Sequence, residues 1–462
     1  MTELKDAPEE QLSLHALSKD MFTPKHTMNG LEVEDKMNAN GSLHTRVLRV
    51  VLRSHLPHLC FQLSQAIEGV FDKGFNMANQ CGGNDWARLS SFSMAKTVIT
   101  AANALAFFGP DLSARPSFLQ AAADYPEDLF RTAEVLRLTP SLLHPLIAPV
   151  LMRNHQASMT MVEHLTPVVE ERLSRVRSNL EHSSDQVPKP KDCIQFFVDA
   201  NSRKGEWTAH KIVQVLLGIW FAAVHQPALT IVYALEDLCE HPEFVEPLRR
   251  ELSAICPYPR GKTIDASIAA TLEEAPLLDA FLKESSRLHP SDSISVRRKA
   301  LTPFTFRDGT HILPGDVACV PSQAIMRNEG IYTESMKFCP WRFVERIKDT
   351  GDEGAEAGGL RSLSRFTDTE LEYPLWGLGR HSWYVPLSGQ RKCTPDGSSM
   401  HSPGRFYASL LLKLFLAHVL MHYDTMLPTT PAMRTFHFRS SIIPTSKSAF
   451  LFRKRVRPCQ GG

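Results

Sequence analysis

Along the first 240 positions, apolar residues recur mostly three and four apart. The segments 43–59, 62–75, 90–108, 127–138, 141–152, 159–177, 193–200 and 208–239 each read as an amphipathic or buried helix. Glycine and proline punctuate the joins, as at Gly109-Pro110 and Pro188-Lys189-Pro190. Two more helices are predicted further on, an amphipathic one over 275–288 and an apolar one over 406–423. Beyond residue 290 the pattern shifts to short strands at 294–296, 304–306, 310–312, 317–320, 434–438 and 449–452. The stretch 349–359, rich in glycine and acid, reads as an exposed loop. No internal repeat is present, so the expected fold is mainly α with a smaller β portion.

Composition narrows this picture. A chain of 462 residues exceeds the usual single-domain size, yet no Pro/Gly/Ser linker divides it, so one large domain over 1–462 is expected. A net charge of +1 gives no reason to expect a nucleic-acid partner. Nine cysteines are scattered without a CxxC pair, which argues against a disulfide framework and fits a reducing compartment. The first 45 residues are polar and charged, with no apolar run of the roughly 18 residues a membrane span needs and no secretory signal. Neither H-E-x-x-H, G-x-S-x-G, a phosphate-binding loop nor a zinc set occurs.

Four local patterns carry chemistry. Glu284-Ser285-Ser286-Arg287 places a carboxylate and a guanidinium on one helical face, a spacing that by itself marks an ordinary surface pair. About 50 residues later stands Phe338-Cys339-Pro340-Trp341-Arg342-Phe343. In the long apolar helix, Ala222-Ala223-Val224-His225-Gln226-Pro227 sets a proline mid-helix, which deprives the Ala223 carbonyl of its N–H partner. Last come two fragments, Trp376-Gly377-Leu378-Gly379-Arg380-His381-Ser382 and Ser402-Pro403-Gly404-Arg405-Phe406. With a cysteine between Ser382 and Pro403 and the rest excised, they would read W-G-L-G-R-H-S-C-P-G-R-F.

In this order and spacing, E-x-x-R, P-x-R-F and the split glycine loop resemble the cytochrome P450 family. The resemblance implies a helical fold around a buried haem b, with a thiolate held in a turn made by Gly377, Gly379 and Gly404. It also implies that Glu284, Arg287 and Arg342 form a buried cluster under that loop. Cations for the haem carboxylates would come from His381, from Arg297 or Arg298, and from Arg46 or Arg49. For the last two a solvated basic stripe is the alternative. Where the family usually carries an acid followed by Thr, this chain has His225 and Gln226. His225 is read either as a proton relay or as a satisfied core histidine, and Gln226 as a group that orients water.

The thiolate itself is missing from its motif. Codons for Trp383 and Ser402 can be spelled so that an in-frame insert begins with a fungal intron start and joins into a cysteine codon. Residues 383–402 are therefore read as a translated intron, with a natural loop insertion as the alternative and Cys393 as the one substitute ligand inside it.

The resemblance implies a monooxygenase that uses O2 to hydroxylate or oxidise a lipophilic small molecule, a terpenoid or meroterpenoid of fungal secondary metabolism. Electrons would come from NADPH through a separate NADPH–cytochrome P450 reductase. Two alternatives stay open: a catalytically inactive product of the unspliced message, and a haem-dependent isomerase or dehydratase. Fungal members usually begin with a membrane helix and a small sheet domain, whereas residues 43–56 already resemble the first haem-contacting helix. The expectation is an absent N-terminal stretch, with the full-length protein on the cytosolic face of the endoplasmic reticulum and the chain as written cytosolic.

Overall fold

Helices of eight or more residues run at Leu14–Phe22 (α1), Arg53–Gly82 (α2), Ser91–Phe108 (α3), Pro116–Leu136 (α4), His144–Leu151 (α5) and Gln156–Glu181 (α6). They continue at Cys193–Ser202 (α7), Ala209–Glu240 (α8), Val245–Ile255 (α9), Pro276–Leu288 (α10) and Arg405–His422 (α11). The coordinates come from a computed structural model. It describes residues 1–32, 47–82, 85–181, 189–202, 207–255, 271–346, 360–378, 402, 404–428, 435–445 and 448–455.

The core forms around α8. Its apolar residues continue on nearly every face, as expected of a helix surrounded by others, and Leu216, Trp220, Val224 and Ile231 are fully buried. Thr208 caps it by accepting from the Lys211 amide at 3.2 Å. It packs on α3, α4, α6, α10 and α11. Among the described helices α8 alone is long and apolar enough to cross a membrane, with a mean hydropathy of 1.7 over its most apolar window. Its place inside the helical body accounts for that composition.

The β portion is small. Leu12–Ser13 (β1), Ser295–Ala300 (β3) and Val317–Val320 (β4) form a three-stranded antiparallel sheet with β3 in the middle, Leu12 opposite Ala300. Ala87–Ser90 (β2), Ala449–Lys454 (β8) and Tyr423–Met426 (β5) make a second sheet with β8 central. Thr435–Phe438 (β6) and Ser441–Pro444 (β7) form a hairpin, joined to the linker after α10 by a bridge between Asp292 and Ser441.

Several elements differ from the sequence expectations. The segments 43–59 and 62–75 are not separate helices: α2 runs without a break, after a π-helical stretch at Val47–Leu52. The apolar series Leu56, Cys60, Leu63, Ile67, Phe71 is continuous, and its burial in the core carries the helix through Pro57 and Gly69. The helix expected at 127–138 begins instead at Pro116 and passes through Pro126. That proline would leave the Ala122 carbonyl without a partner, and the indole Nε1–H of Trp220, from α8, donates to it at 2.8 Å. Residues 1–32, where no element was expected, hold α1 and β1, and Leu4, Ala7 and Leu12 pack with Val296, Ala300 and Leu378. The expected loop at 349–359 lies outside the described residues.

Candidate functional site

A cavity of about 860 Å³ opens between α8, the start of α11, the linker into β3 and the chain around α1. Apolar side chains such as Met21, Phe22, Leu52, Phe130 and Ile219 make up much of its lining. Polar groups enter it at a few places, an arrangement typical of sites for small apolar molecules.

Both halves of the split motif reach this cavity. The Ser402 amide donates to the Trp376 carbonyl at 3.0 Å, so the chain leaves and returns at one point. Gly377 takes a φ of +80°, in the left-handed region that favours glycine. Trp376 is held in turn by its Nε1–H on the Phe366 carbonyl at 2.6 Å, and Arg405 by its Nε–H on the Thr367 carbonyl at 3.0 Å. Gly377, Leu378, Ser402 and Gly404 all line the cavity. Ser402 therefore stands on its wall at the motif position, just before Pro403, that the expected cysteine would take. Cys60, Cys193, Cys239, Cys319 and Cys339 all lie away from the cavity lining. Arg46, Gly379, His381 and Cys393 lie outside the described residues, and Arg49 is described only as backbone of the π-helical stretch.

The structure brings Glu284, Arg287 and Arg342 together. The Glu284 carboxylate accepts from Arg287 Nε at 2.7 Å and Nη2 at 2.9 Å, from Arg342 Nε at 3.1 Å and from the Cys339 amide at 2.9 Å. Arg287 turns its third nitrogen, Nη1, to the Met326 carbonyl at 2.5 Å. The two adjacent cations after α10 differ. Arg297 pairs with Asp292 and donates to Ser440 Oγ at 2.9 Å. Arg298 points to the buried face of β3, donates to the carbonyls of Arg297 at 2.8 Å and Leu378 at 3.4 Å, and leaves Nε without a partner among the described residues. No carboxylate lies within ion-pair distance of it among the described residues. Burial pulls its pKa below the usual guanidinium value, opposed only by the more distant Glu9. A buried cation on the cavity wall with spare hydrogen-bonding capacity suits an anionic group, and a haem carboxylate fits this chemistry.

His225 and Gln226 both line the cavity. The His225 ring stacks on Phe130, centroids 5.4 Å apart, and meets Phe92 edge-on at 5.6 Å. Burial lowers its pKa, with Glu127 opposing and Lys96 assisting, so the ring is neutral near pH 7. Gln226 Oε1 accepts from Ser291 Oγ at 2.5 Å. Sequence reasoning missed Ser291, and it missed Asn103, whose side chain donates to the Ala223 carbonyl at 2.6 Å. Pro227 announced that this carbonyl needs a donor; which residue supplies it is a matter of packing between helices.

Residues 77–355 match the family described as Cytochrome P450. Cytochrome P450 monooxygenase 151 of Postia placenta is 25% identical over 457 residues, covering 98% of this chain and 82% of that protein. Cytochrome P450 monooxygenase olcJ of Penicillium canescens is 26% identical over 460 residues, 98% of this chain and 77% of that one. Cytochrome P450 monooxygenase paxP of Penicillium paxilli is 26% identical over 449 residues, 94% and 78%. Among solved structures, retinoic acid-bound cyanobacterial CYP120A1 superposes with a TM-score of 0.66 at 15% identity, covering 98% of this chain and 86% of that chain, a likeness of fold.

Proposed function

The chain belongs to the cytochrome P450 family, and from that premise we propose that its uninterrupted form is a haem-thiolate monooxygenase acting on a lipophilic small molecule. The substrate class we favour is a terpenoid or meroterpenoid of fungal secondary metabolism. The observation that carries the reading is the bond between the Ser402 amide and the Trp376 carbonyl, which joins the two halves of the thiolate loop at the wall of the apolar cavity.

When bound, haem supplies the redox chemistry that splits O2 and places one oxygen atom on carbon. The residues of this chain bind and orient. Arg298 would hold a haem carboxylate, and Gly377 and Gly404 would flank the turn that presents the ligand position. The apolar lining excludes water and holds the substrate. Gln226, with Oε1 occupied by Ser291, keeps its amide hydrogens for a water in the cavity. His225, neutral and stacked on Phe130, takes up a proton at its ring nitrogen only as pH falls. Electrons come from NADPH through a separate reductase. We place the protein on the cytosolic face of the endoplasmic reticulum, supported by the apolar stripe on and just before α5, where Leu142, Leu146 and Val150 are 87%, 70% and 74% exposed.

A second reading, a folded but catalytically inactive product, is favoured by one observation: Ser402 occupies the ligand position in the chain as written. The test compares that chain with a variant lacking residues 383–401 and carrying Ser402→Cys. The shortened variant should show the reduced carbon-monoxide band of thiolate-bound haem and the original should not. A band in the original would assign Cys393 as ligand. Absence of the band from both would overturn the monooxygenase reading.

A further inference from the structure

Pro227 lies inside α8, and the helix continues through it from Ala209 to Glu240. A proline has no N–H, so the carbonyl four residues earlier, on Ala223, loses its helical donor. Ala223 and Pro227 both line the cavity, and an unpartnered carbonyl there would be free to take a water or a ligand group.

It is already occupied. Asn103, fully buried on α3, sends Nδ2 to the Ala223 carbonyl at 2.6 Å. Tyr407, in the first turn of α11, sends its hydroxyl to Asn103 Oδ1 at 2.7 Å. The assignment of the amide is forced: a carbonyl can only accept, so the nitrogen must face Ala223 and the oxygen must receive the tyrosine proton. The path therefore runs from the helix that follows Ser402, through α3, to the gap in the α8 ladder. A side chain could fill such a gap from anywhere; this one reaches both walls of the cavity.

We propose that Asn103 and Tyr407 are positioning residues: they replace the donor that Pro227 removes and tie the gap in α8 to the start of α11, so that the two cavity walls are held at a set separation. The Ala223 carbonyl is thereby withheld from bound water, and polar contacts at that part of the cavity fall to Gln226. What the walls do rests on the monooxygenase reading. The bond path itself can be tested on the full chain without haem, so failure of one is distinguishable from failure of the other.

The test is a cycle with Pro227→Ala, which returns an N–H within reach of the Ala223 carbonyl. Asn103→Leu should lower the melting temperature by roughly 2–4 °C in the parent and by clearly less in the Pro227→Ala background, since the helix then supplies its own donor. An equal loss in both backgrounds overturns the claim that Asn103 stands in for the missing amide. Tyr407→Phe removes one hydroxyl and keeps the ring, so it disturbs the packing less than Asn103→Leu does. It should speed amide exchange across residues 221–231 of α8 roughly fivefold. Tyr125→Phe serves as the control, because that buried hydroxyl has no partner among the described residues. Exchange in α8 that responds no more to Tyr407→Phe than to Tyr125→Phe overturns the link between the two helices.

Discussion

Arg287 and Arg298 are buried to nearly the same degree, 0% and 2% exposed, and their surroundings differ in kind. Arg287 meets a carboxylate through two bonds and a carbonyl through a third, so its charge is neutralised where it lies. Among the described residues Arg298 meets carbonyls alone and keeps an Nε without a partner. A guanidinium cannot escape burial by losing its proton, so the two sites dispose of the same charge differently. One closes the account inside the protein; the other presents the charge to whatever anion enters the cavity. Burial alone would not separate the structural arginine from the binding one, whereas their partners do.

The largest expected effect tests the closed site. Glu284→Gln strands two guanidinium groups and should cost about 3–5 kcal/mol in urea denaturation; a loss under about 1 kcal/mol would show that the cluster adds little. Arg298→Met should behave in the opposite way. Without haem the variant should stay within about 1 kcal/mol of the parent, or gain stability, because an unpaired buried charge has been removed. In the shortened Ser402→Cys chain, haem retention should fall roughly tenfold, one lost charge-assisted bond of about 1.4 kcal/mol. If Arg298→Met destabilised the haem-free chain as Glu284→Gln does, the contrast would collapse. The smallest effect belongs to His225, a buried cationic group that can shed its proton. Burial depresses its folded pKa, so below about pH 6.5 the unfolded chain takes up a proton that the folded one refuses. Stability from this group is present above that value and declines as pH falls toward the depressed pKa. His225→Phe should flatten the decline between pH 7 and 5, measured as melting temperature against pH.

The Glu284 cluster was legible because two of its members sit three residues apart on one helix and the third comes in a motif of its own. The choice between Arg297 and Arg298 was not legible. Side chains alternate along β3, with Val296, Arg298 and Ala300 on the buried face, and a one-residue shift of register would have exchanged the two. The helix α8 announced itself by its apolar period. The early strand β1 could not, since two residues become a strand only by pairing with β3 nearly 290 positions later. Trp220, Asn103 and Ser291 share that difficulty: each completes a partner on another element, and no local spacing points to them. Arg46, His381 and Cys393, prominent in the sequence reading, fall outside the described residues.

The bond between Ser402 and Trp376 has a consequence for how such a chain would fare in a cell. Because the ends of the intervening segment are pinned together, the helical body on either side is complete without it, and lengthening a closed loop costs only about 0.6 kcal/mol per doubling. Surveillance by chaperones and proteases responds to unfolded surface, and the described helical body keeps its buried core with the segment in place. A retained intron at this point would leave that body folded and take away its chemistry alone.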